Sequence, residues 1–267
     1  MAALEIRQFI CRSDNFGVLL HDPASGLTAA IDAPDEAAVR DELKKANLTL
    51  THIFTTHHHF DHVAGHEGLK RETGCIIYGP EKERATIPCL DKAVKEGDSI
   101  HFGSYRLQVI ETPGHTLGHV TYFIADAQPG AVPGSRNGVA FAGDTLFSVG
   151  CGRVLEGSYA QMWNSLQKIA ALPKDTLIYC GHEYTKANIA FAVTVEPGNE
   201  ALLTRKVEVE AARQQGKPAL PVALGKELQT NPFLRPRSEQ IRAVLGFDDR
   251  TPDEEVFSEL RRRKDRF

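Results

Sequence analysis

Four metal-binding side chains within six positions are the feature that most restricts how this chain can fold. The run at 55–62 reads TTHHHFDH and contains His57, His59, Asp61 and His62. It follows an apolar segment, Leu48–Phe54, whose composition predicts a strand. Because each unpaired polar group in a core costs several kcal/mol, core packing is a poor explanation for so dense a cluster. A solvated histidine-rich loop is the alternative, but imidazole and carboxylate are preferred ligands of zinc, and they also suit iron or manganese.

The middle histidine of this run is expected to differ from its neighbours. His57 and His59 are two positions apart, so in an extended segment they project to the same side. His58 then projects to the other side. We expect His58 to face solvent or to contact a metal ligand from behind.

Three further segments place a metal-binding residue type beside a glycine at the end of a predicted strand. They read TPGH at Thr112–His115, AGDT at Ala142–Thr145 and CGHE at Cys180–Glu183. Strand ends that meet at one edge of layered sheets can assemble a site from distant parts of a chain. The candidate ligands are then His57, His59, Asp61, His62, His115, Asp144 and His182. One tetrahedral zinc cannot use seven ligands, so the count predicts two metal ions that share Asp144.

The chain changes in pattern near residue 180. Before this point, short apolar runs alternate with turn residues, and the pattern predicts strands at Leu4–Phe9, Phe16–Leu20, Leu27–Ile31, Arg106–Glu111, Val120–Ile124, Val139–Ala142 and Thr176–Cys180. Helices are predicted at Ala37–Ala46 and Ala160–Ala171. After Tyr184 strand signals vanish, and helices are predicted at Glu200–Gln215 and from an N-cap at Thr251. We therefore predict a catalytic domain at 1–180 and a smaller helical domain at 181–267.

Composition excludes several classes of protein. The chain has 267 residues, 42% of them hydrophobic, so disorder is excluded as its main state. A net charge of −4 argues against nucleic acid or an anionic membrane as partner. No apolar stretch approaches the roughly 20 residues of a membrane span, and the amino terminus lacks a secretory signal. Five scattered cysteines without C-x-x-C spacing predict reduced thiols. We expect a cytoplasmic protein, and a monomer.

In their order and spacing, TTHHHFDH, TPGHTLGH, GDTLF and GHEYT resemble the motifs of the hydroxyacylglutathione hydrolase (glyoxalase II) family of the metallo-β-lactamase superfamily. The resemblance covers nearly the whole chain. It implies an α/β fold, a four-layer αββα sandwich followed by a small helical C-terminal domain. It also implies two divalent ions, of zinc or else of iron or manganese. One ion would be held by His57, His59 and His115 and the other by Asp61, His62 and His182, with Asp144 and a hydroxide bridging both.

The reaction implied by the resemblance is hydrolysis of S-(2-hydroxyacyl)glutathione thioesters, such as S-D-lactoylglutathione. Asp61 and Asp144 would be the catalytic carboxylates. In that family a closing R-x-x-K-D-x-F binds the glycine carboxylate of glutathione, and Arg261 and Lys264 fit this motif. Tyr184 and Arg153 correspond to further substrate contacts. Leu155 departs from the pattern, because family members commonly carry an aromatic residue at this position.

Three other functions compete with this interpretation. A glutathione-dependent persulfide dioxygenase would resemble the first motif but would use a single iron. A nuclease is less compatible with the acidic charge balance. A non-enzymatic interaction surface leaves seven intact ligands unexplained. The second set of metal ligands and the helical tail favour the thioester hydrolase.

Overall fold

Two six-stranded sheets form the centre of the computed structural model, which describes residues 3–127 and 138–267. The first sheet runs in chain order and contains β1 (Glu5–Cys11), β2 (Asn15–Asp22), β3 (Leu27–Ile31), β4 (His52–Phe54), β5 (Ile76–Pro80) and β6 (Lys92–Val94). Its first three strands form an antiparallel meander. From β3 onward neighbouring strands are parallel, so their carboxyl ends meet at one edge.

The second sheet lies against the first. Its bounds are β7 (Ser99–Phe102), β8 (Tyr105–Glu111), β9 (Val120–Ile124), β10 (Val139–Phe141), β13 (Leu177–Tyr179) and β14 (Val222–Ala223), in the spatial order β14-β13-β10-β9-β8-β7. A separate short hairpin is formed by β11 (Leu146–Phe147) and β12 (Gly150–Cys151). The strand β10 is antiparallel to β9 and parallel to β13. The ends of β10 and β13 therefore open on the same edge.

Helices make up most of the remaining regular structure, and some of them cover the outer faces of the sheets. They are α1 (Glu36–Ala46), α2 (Phe60–Val63), α3 (His66–Thr73), α4 (Tyr159–Ala170), α5 (Thr185–Val195), α6 (Glu200–Gln214), α7 (Leu224–Thr230), α8 (Glu239–Leu245) and α9 (Asp253–Arg266), with 3-10 turns at Glu81–Glu83 and Pro232–Leu234. Among the helices described, none combines the length and the apolar composition needed to cross a bilayer.

Three apolar clusters hold the layers together. Between the sheets, Phe54 packs with Phe102 and Tyr122. Behind the first sheet, apolar residues of α1 and α3 pack on its strands. Behind the second sheet, α4 and the carboxyl-terminal helices share one core, with Leu166 and Phe257 both fully buried. This order of layers confirms the predicted αββα sandwich.

Several element predictions need correction. The strand at Leu27–Ile31 and the strand at Val120–Ile124 have the predicted bounds, but the run Leu48–Phe54 forms a strand only over His52–Phe54. Strand structure does not vanish after Tyr184, since β14 pairs with β13. The last helix begins at Asp253 rather than from a Thr251 cap; the Thr251 hydroxyl contacts Asp248. The additional strand comes from tertiary pairing with β13, whereas the shifted helix start comes from a local contact with Asp248 that occupies the Thr251 hydroxyl.

Candidate metal centre

The four motif segments leave their strands at the same edge of the two sheets. They follow β4, β8, β10 and β13. Backbone hydrogen bonds tie the segments in pairs: the Val120 N–H donates to the Thr56 carbonyl at 2.9 Å, and the Gly181 N–H donates to the Gly143 carbonyl at 2.9 Å. The side chains of these segments are therefore held close together although they lie far apart in sequence.

The first group of candidate ligands consists of three histidines. His57, His59 and His115 each offer a ring nitrogen, and these atoms lie within 4.8 Å of one another. The shortest separation, 3.0 Å, joins His115 Nε2 to His59 Nδ1. Such spacing allows one cation to contact all three rings.

The second group combines a carboxylate with two histidines. Asp61, His62 and His182 also offer atoms within 4.8 Å of one another. His182 Nε2 lies 3.3 Å from Asp61 Oδ2 and 3.3 Å from His62 Nε2. Asn15 donates to the same Asp61 oxygen at 2.9 Å and so holds this carboxylate in place.

Asp144 lies between the two groups. Its Oδ2 is 3.4 Å from His115 Nε2 and 3.3 Å from His182 Nε2, and its Oδ1 is 3.5 Å from His62 Nε2. Burial by itself lowers the pKa of His182, but Asp144 and the other nearby carboxylates raise this pKa to about 11. The carboxylates therefore favour positive charge at the centre of the cluster.

Two buried atoms of the cluster fit a metal ion better than they fit a protein core. Among the described residues, His57 Nε2 and Asp144 Oδ1 have no hydrogen-bond partner. Buried polar atoms are nearly always paired, so such orphans require an explanation. Burial, followed by the neighbouring histidines, holds the pKa of His57 well below its usual range. A neutral imidazole and a carboxylate oxygen are suitable metal donors.

Sequence reasoning missed Asp32, which orients His62. Asp32 Oδ2 is 2.8 Å from His62 Nδ1, and the backbone N–H and the hydroxyl of Thr56 also donate to this carboxylate. A carboxylate accepts hydrogen bonds, so Nδ1 carries the proton and Nε2 is left for a cation. The position of Asp32, directly after β3 and beside β4, was the available signal.

Two of the other candidate histidine ligands, His182 and His115, are oriented in the same way. His182 Nδ1 lies 3.1 Å from Asp14 Oδ1, and His115 Nδ1 lies 2.9 Å from the carbonyl oxygen of Arg153. Both partners accept, which again leaves Nε2 free to face the cluster. Asp14 was also missed, because it stands 168 residues before its partner.

The histidines flanking the motifs differ in their contacts. His119 is buried, and its Nε2 accepts from the backbone N–H of Asp144 at 3.0 Å. His66 instead contacts the Thr55 hydroxyl at 3.3 Å. Of these two histidines, His119 contacts a candidate ligand and His66 does not.

His58 lies between two carboxylates. Its Nδ1 is 3.0 Å from Glu83 Oε2, and its Nε2 is 3.2 Å from Glu156 Oε1. The same oxygen of Glu156 is 3.7 Å from His59 Nε2. His58 is thus linked to the candidate ligand His59 through the carboxylate of Glu156, which agrees with the expectation that His58 supports a ligand rather than being one.

A cavity of about 470 Å³ opens beside the cluster. Its wall includes Arg153, Tyr184, Arg261, Lys264 and Phe267 as well as His115 and Asp144. The Tyr184 ring stacks on His182 at 4.8 Å. All four predicted substrate contacts therefore line one cavity that contains two candidate metal ligands.

The two basic residues of the tail are held differently. The guanidinium of Arg261 is buried, donates to the Cys151 carbonyl at 2.9 Å and contacts Asp265. Lys264 is half-buried, and its ammonium group donates one hydrogen bond to the Ala187 carbonyl at 3.0 Å. Burial, followed by the charges of Arg261 and Arg153, lowers the pKa of Lys264. Arg153, Arg261 and Lys264 together still make this part of the wall cationic, so it suits an anion.

Family models match nearly all of the chain. The model for the metallo-beta-lactamase superfamily matches residues 14–182. The model described as "Hydroxyacylglutathione hydrolase C-terminus" matches residues 183–267.

Curated relatives and solved structures agree with these matches. Proteins named hydroxyacylglutathione hydrolase from Brucella anthropi and Brucella ovis are 52% identical to the chain over 264 residues, which are 99% of this chain and 97% and 98% of those proteins. The crystal structure of ETHE1 from Myxococcus xanthus has a TM-score of 0.64 and 25% identity, covering 95% of this chain and 94% of that chain. A metallo-beta-lactamase from Staphylococcus aureus has a TM-score of 0.64 at 22% identity, covers 98% of this chain and 71% of that chain, and supports the fold alone.

Proposed function

Since the chain belongs to the hydroxyacylglutathione hydrolase family of the metallo-beta-lactamase superfamily, we propose that it cleaves S-(2-hydroxyacyl)glutathione thioesters to a 2-hydroxy acid and glutathione. S-D-lactoylglutathione is the substrate we select for testing. The chain is a metal-dependent hydrolase. The observation that carries the proposal is the convergence of seven candidate ligands beside a cavity with a cationic wall.

We assign the ligands to two divalent cations, with zinc as our first choice and iron or manganese as the alternatives. His57, His59 and His115 would hold one cation, while Asp61, His62 and His182 would hold the other; Asp144 would contact both. The orphaned atoms His57 Nε2 and Asp144 Oδ1 support this assignment. Bound there, the cations would make a water molecule acidic enough to ionise near neutral pH and would stabilise negative charge on the thioester oxygen.

The two carboxylates are suited to different tasks. The side chain of Asp144 is 8% exposed and that of Asp61 is 38% exposed. We therefore assign the buried Asp144 to holding the cations together. Asp61 would also orient the attacking water from the open side of the cluster. A thiolate is a good leaving group, so no further acid is required.

Glutathione would lie in the cavity. Lys264 and Arg153 would attract its glycine carboxylate, and the Tyr184 hydroxyl would contact its peptide groups. Arg261 is too well paired to move freely toward a ligand. It would contribute charge from a fixed position behind Lys264.

We also propose the division into a catalytic domain at 1–180 and a helical substrate-binding domain at 181–267. The junction of the two family models at 182 and 183 supports this boundary. We further propose that the protein is a cytoplasmic monomer and that it has no nucleic-acid partner. The net charge of −4 supports the last point.

The second candidate remains a persulfide dioxygenase with a single iron. The second group of ligands and the helical tail argue against it. Metal analysis separates the two: the hydrolase should contain close to two ions per chain, whereas a single iron would favour the dioxygenase.

The test is a thioester assay with a matched pair of histidine variants. The purified chain should release thiol from S-D-lactoylglutathione, a chelator should abolish this release, and added zinc should restore it. His59→Ala should lose most turnover, because it removes a ligand from the first group. His101→Ala is the control, since His101 is exposed on β7. Failure of the zinc-loaded chain to cleave the thioester would overturn the proposal.

A further inference from the structure

The short hairpin β11–β12 connects two parts of the metal centre. Asp144, which lies between the two ligand groups, precedes this hairpin. Arg153 follows it, and the Arg153 carbonyl oxygen orients His115 at 2.9 Å. Any shift of the hairpin would therefore displace a candidate ligand at one end and the partner of another ligand at the other end.

The tip of the hairpin has an unfavourable backbone conformation. Val149 is fully buried and has φ of 56°, in the left-handed region that β-branched residues rarely adopt. Such a conformation persists only where the surroundings hold it. The hairpin itself has only two paired residues on each strand, so its own ladder is too short to do this.

The surroundings that hold the tip come from the helical region. Glu227 of α7 is fully buried; its Oε2 accepts from the Val149 N–H at 2.7 Å, and its Oε1 accepts from the Ser148 hydroxyl at 3.0 Å. Asn231 donates to the carbonyl oxygens of Phe147 and Gly150 at 3.2 and 2.9 Å. These two side chains thus contact every residue of the turn.

Glu227 also contacts Asn231, so the two side chains that hold the turn are bonded to each other. Asn231 donates to its Oε2 at 3.0 Å, and Arg205 donates to the Ser148 hydroxyl at 3.3 Å. Removal of the Glu227 carboxylate would leave the Val149 N–H without its acceptor and would take one hydrogen bond each from Asn231 and from the Ser148 hydroxyl. No other described carboxylate bonds to this turn.

We propose that Glu227 is a positioning residue for the metal centre: it clamps the strained turn at 147–150 and so keeps Asp144 and the Arg153 carbonyl in register with the two ligand groups. The inference rests on the proposed function in that the centre binds metal. Glu227 itself touches no candidate metal ligand. Its effect passes through the hairpin, which makes the helical region part of the metal site.

The test compares Glu227 with a buried carboxylate of the same region that does not touch the hairpin. Glu196 is 2% exposed and pairs with Arg235 and Ser238. We would prepare Glu227→Ala, Glu227→Leu, Glu196→Ala and Glu196→Leu in the full chain. Zinc affinity would be measured by competition with a chromophoric chelator, and thermal unfolding would be followed on the same samples.

All four variants should unfold at lower temperature than the wild type. Only the Glu227 variants should also bind zinc more weakly, by about tenfold or more, as is typical when a group supporting metal ligands is lost. Glu227→Leu fills the space of the side chain without supplying an acceptor, and it decides the matter if Glu227→Ala does not fold. Zinc affinity of Glu227→Leu equal to that of the wild type, or an equal loss in Glu196→Leu, would overturn the proposal.

The zinc titration needs no thioester, so the two proposals can fail separately. A chain that binds zinc through this clamp but leaves S-D-lactoylglutathione uncut would contradict the proposed substrate alone. A chain that cleaves the thioester and binds zinc equally well without Glu227 would contradict the clamp alone.

Discussion

At the scale of single residues, the tail motif separates into one side chain that is free to bind and one that is not. Lys264 retains donors for a ligand after its bond to Ala187. Arg261 is committed to the Cys151 carbonyl and to Asp265, and its guanidinium lies 5.1 Å from the centre of the Phe233 ring. The two cations should therefore respond differently to substitution.

Lys264→Ala should raise KM for S-D-lactoylglutathione by about ten- to hundredfold, since a hydrogen bond to a charged group contributes about 1.5–3 kcal/mol. Its kcat and Tm should stay near the wild-type values, which is the pattern of lost uniform binding. Arg266→Ala removes the same charge from an exposed position outside the cavity and is the control. An unchanged KM in Lys264→Ala would exclude this residue from the glutathione site.

Arg261→Ala should instead lower the free energy of unfolding by about 2 kcal/mol, because it leaves the Cys151 carbonyl and Asp265 without their donor. Double substitution of Arg261 and Lys264 should raise KM further. A Tm equal to that of the wild type would show that the buried contacts of Arg261 contribute little.

At the scale of elements, Glu196 joins the end of α5 to the segments that precede α6 and α8. It accepts from Asn199 at 2.8 Å and from Arg235 at 2.8 and 3.1 Å, and it contacts Ser238. Burial alone raises the pKa of this carboxyl, but these donors outweigh burial and lower it below its ordinary value of 4.5. The folded chain therefore holds Glu196 as a carboxylate more strongly than the unfolded chain does.

A lowered folded-state pKa stabilises the protein above the unfolded pKa, and this stabilisation is lost as the pH falls through the folded pKa. Glu196→Gln should reduce the free energy of unfolding by about 2 kcal/mol at pH 7. The difference from the wild type should shrink below pH 4.5. Denaturant unfolding at several pH values measures it, with the exposed Glu239→Gln as control. A difference that stays constant down to pH 3 would contradict this account.

At the scale of the whole molecule, the metal ligands come from both sheets and close one edge of the sandwich. Without cations, several histidines and carboxylates share a buried space, and His57 Nε2 and Asp144 Oδ1 have no hydrogen-bond partner among the described residues. A ligand that binds the folded chain alone stabilises it by mass action, by about 2.7 kcal/mol when its concentration is 100 times Kd.

Removal of metal by a chelator should therefore lower Tm by about 5–10 °C in a chain of this size. Added zinc should restore the original Tm. The fall should be much smaller in His59→Ala, which has already lost a ligand. Equal Tm values with and without chelator would show that the cluster does not bind metal in the folded chain.

Local pattern was enough to select the seven candidate ligands that the structure brings together at one edge of the sheets. The dense run at 55–62 and the glycine-flanked segments after strands identified the candidate ligands. Burying so many histidines and carboxylates without partners would cost several kcal/mol for each group, so a metal site is the better explanation. Strands such as Leu27–Ile31 were found because apolar runs between turns are short-range signals.

Partners from distant parts of the chain were not predictable in this way. Asp32 and Asp14 look like ordinary turn residues until tertiary packing brings them to His62 and His182. The strand β14 is only two residues long and exists because β13 offers it an edge.

The sequence by itself determined which residue types the centre contains and the order of layers that brings strand ends together. Tertiary structure alone decided which ring nitrogen faces the centre, that Arg261 is buried behind Lys264, and that Glu227 holds the turn beyond Asp144. The physical reason is the sequence separation over which each kind of interaction acts. Apolar periodicity and turn residues act over a few positions, whereas hydrogen bonds that orient a ligand join residues brought together only by the packed core.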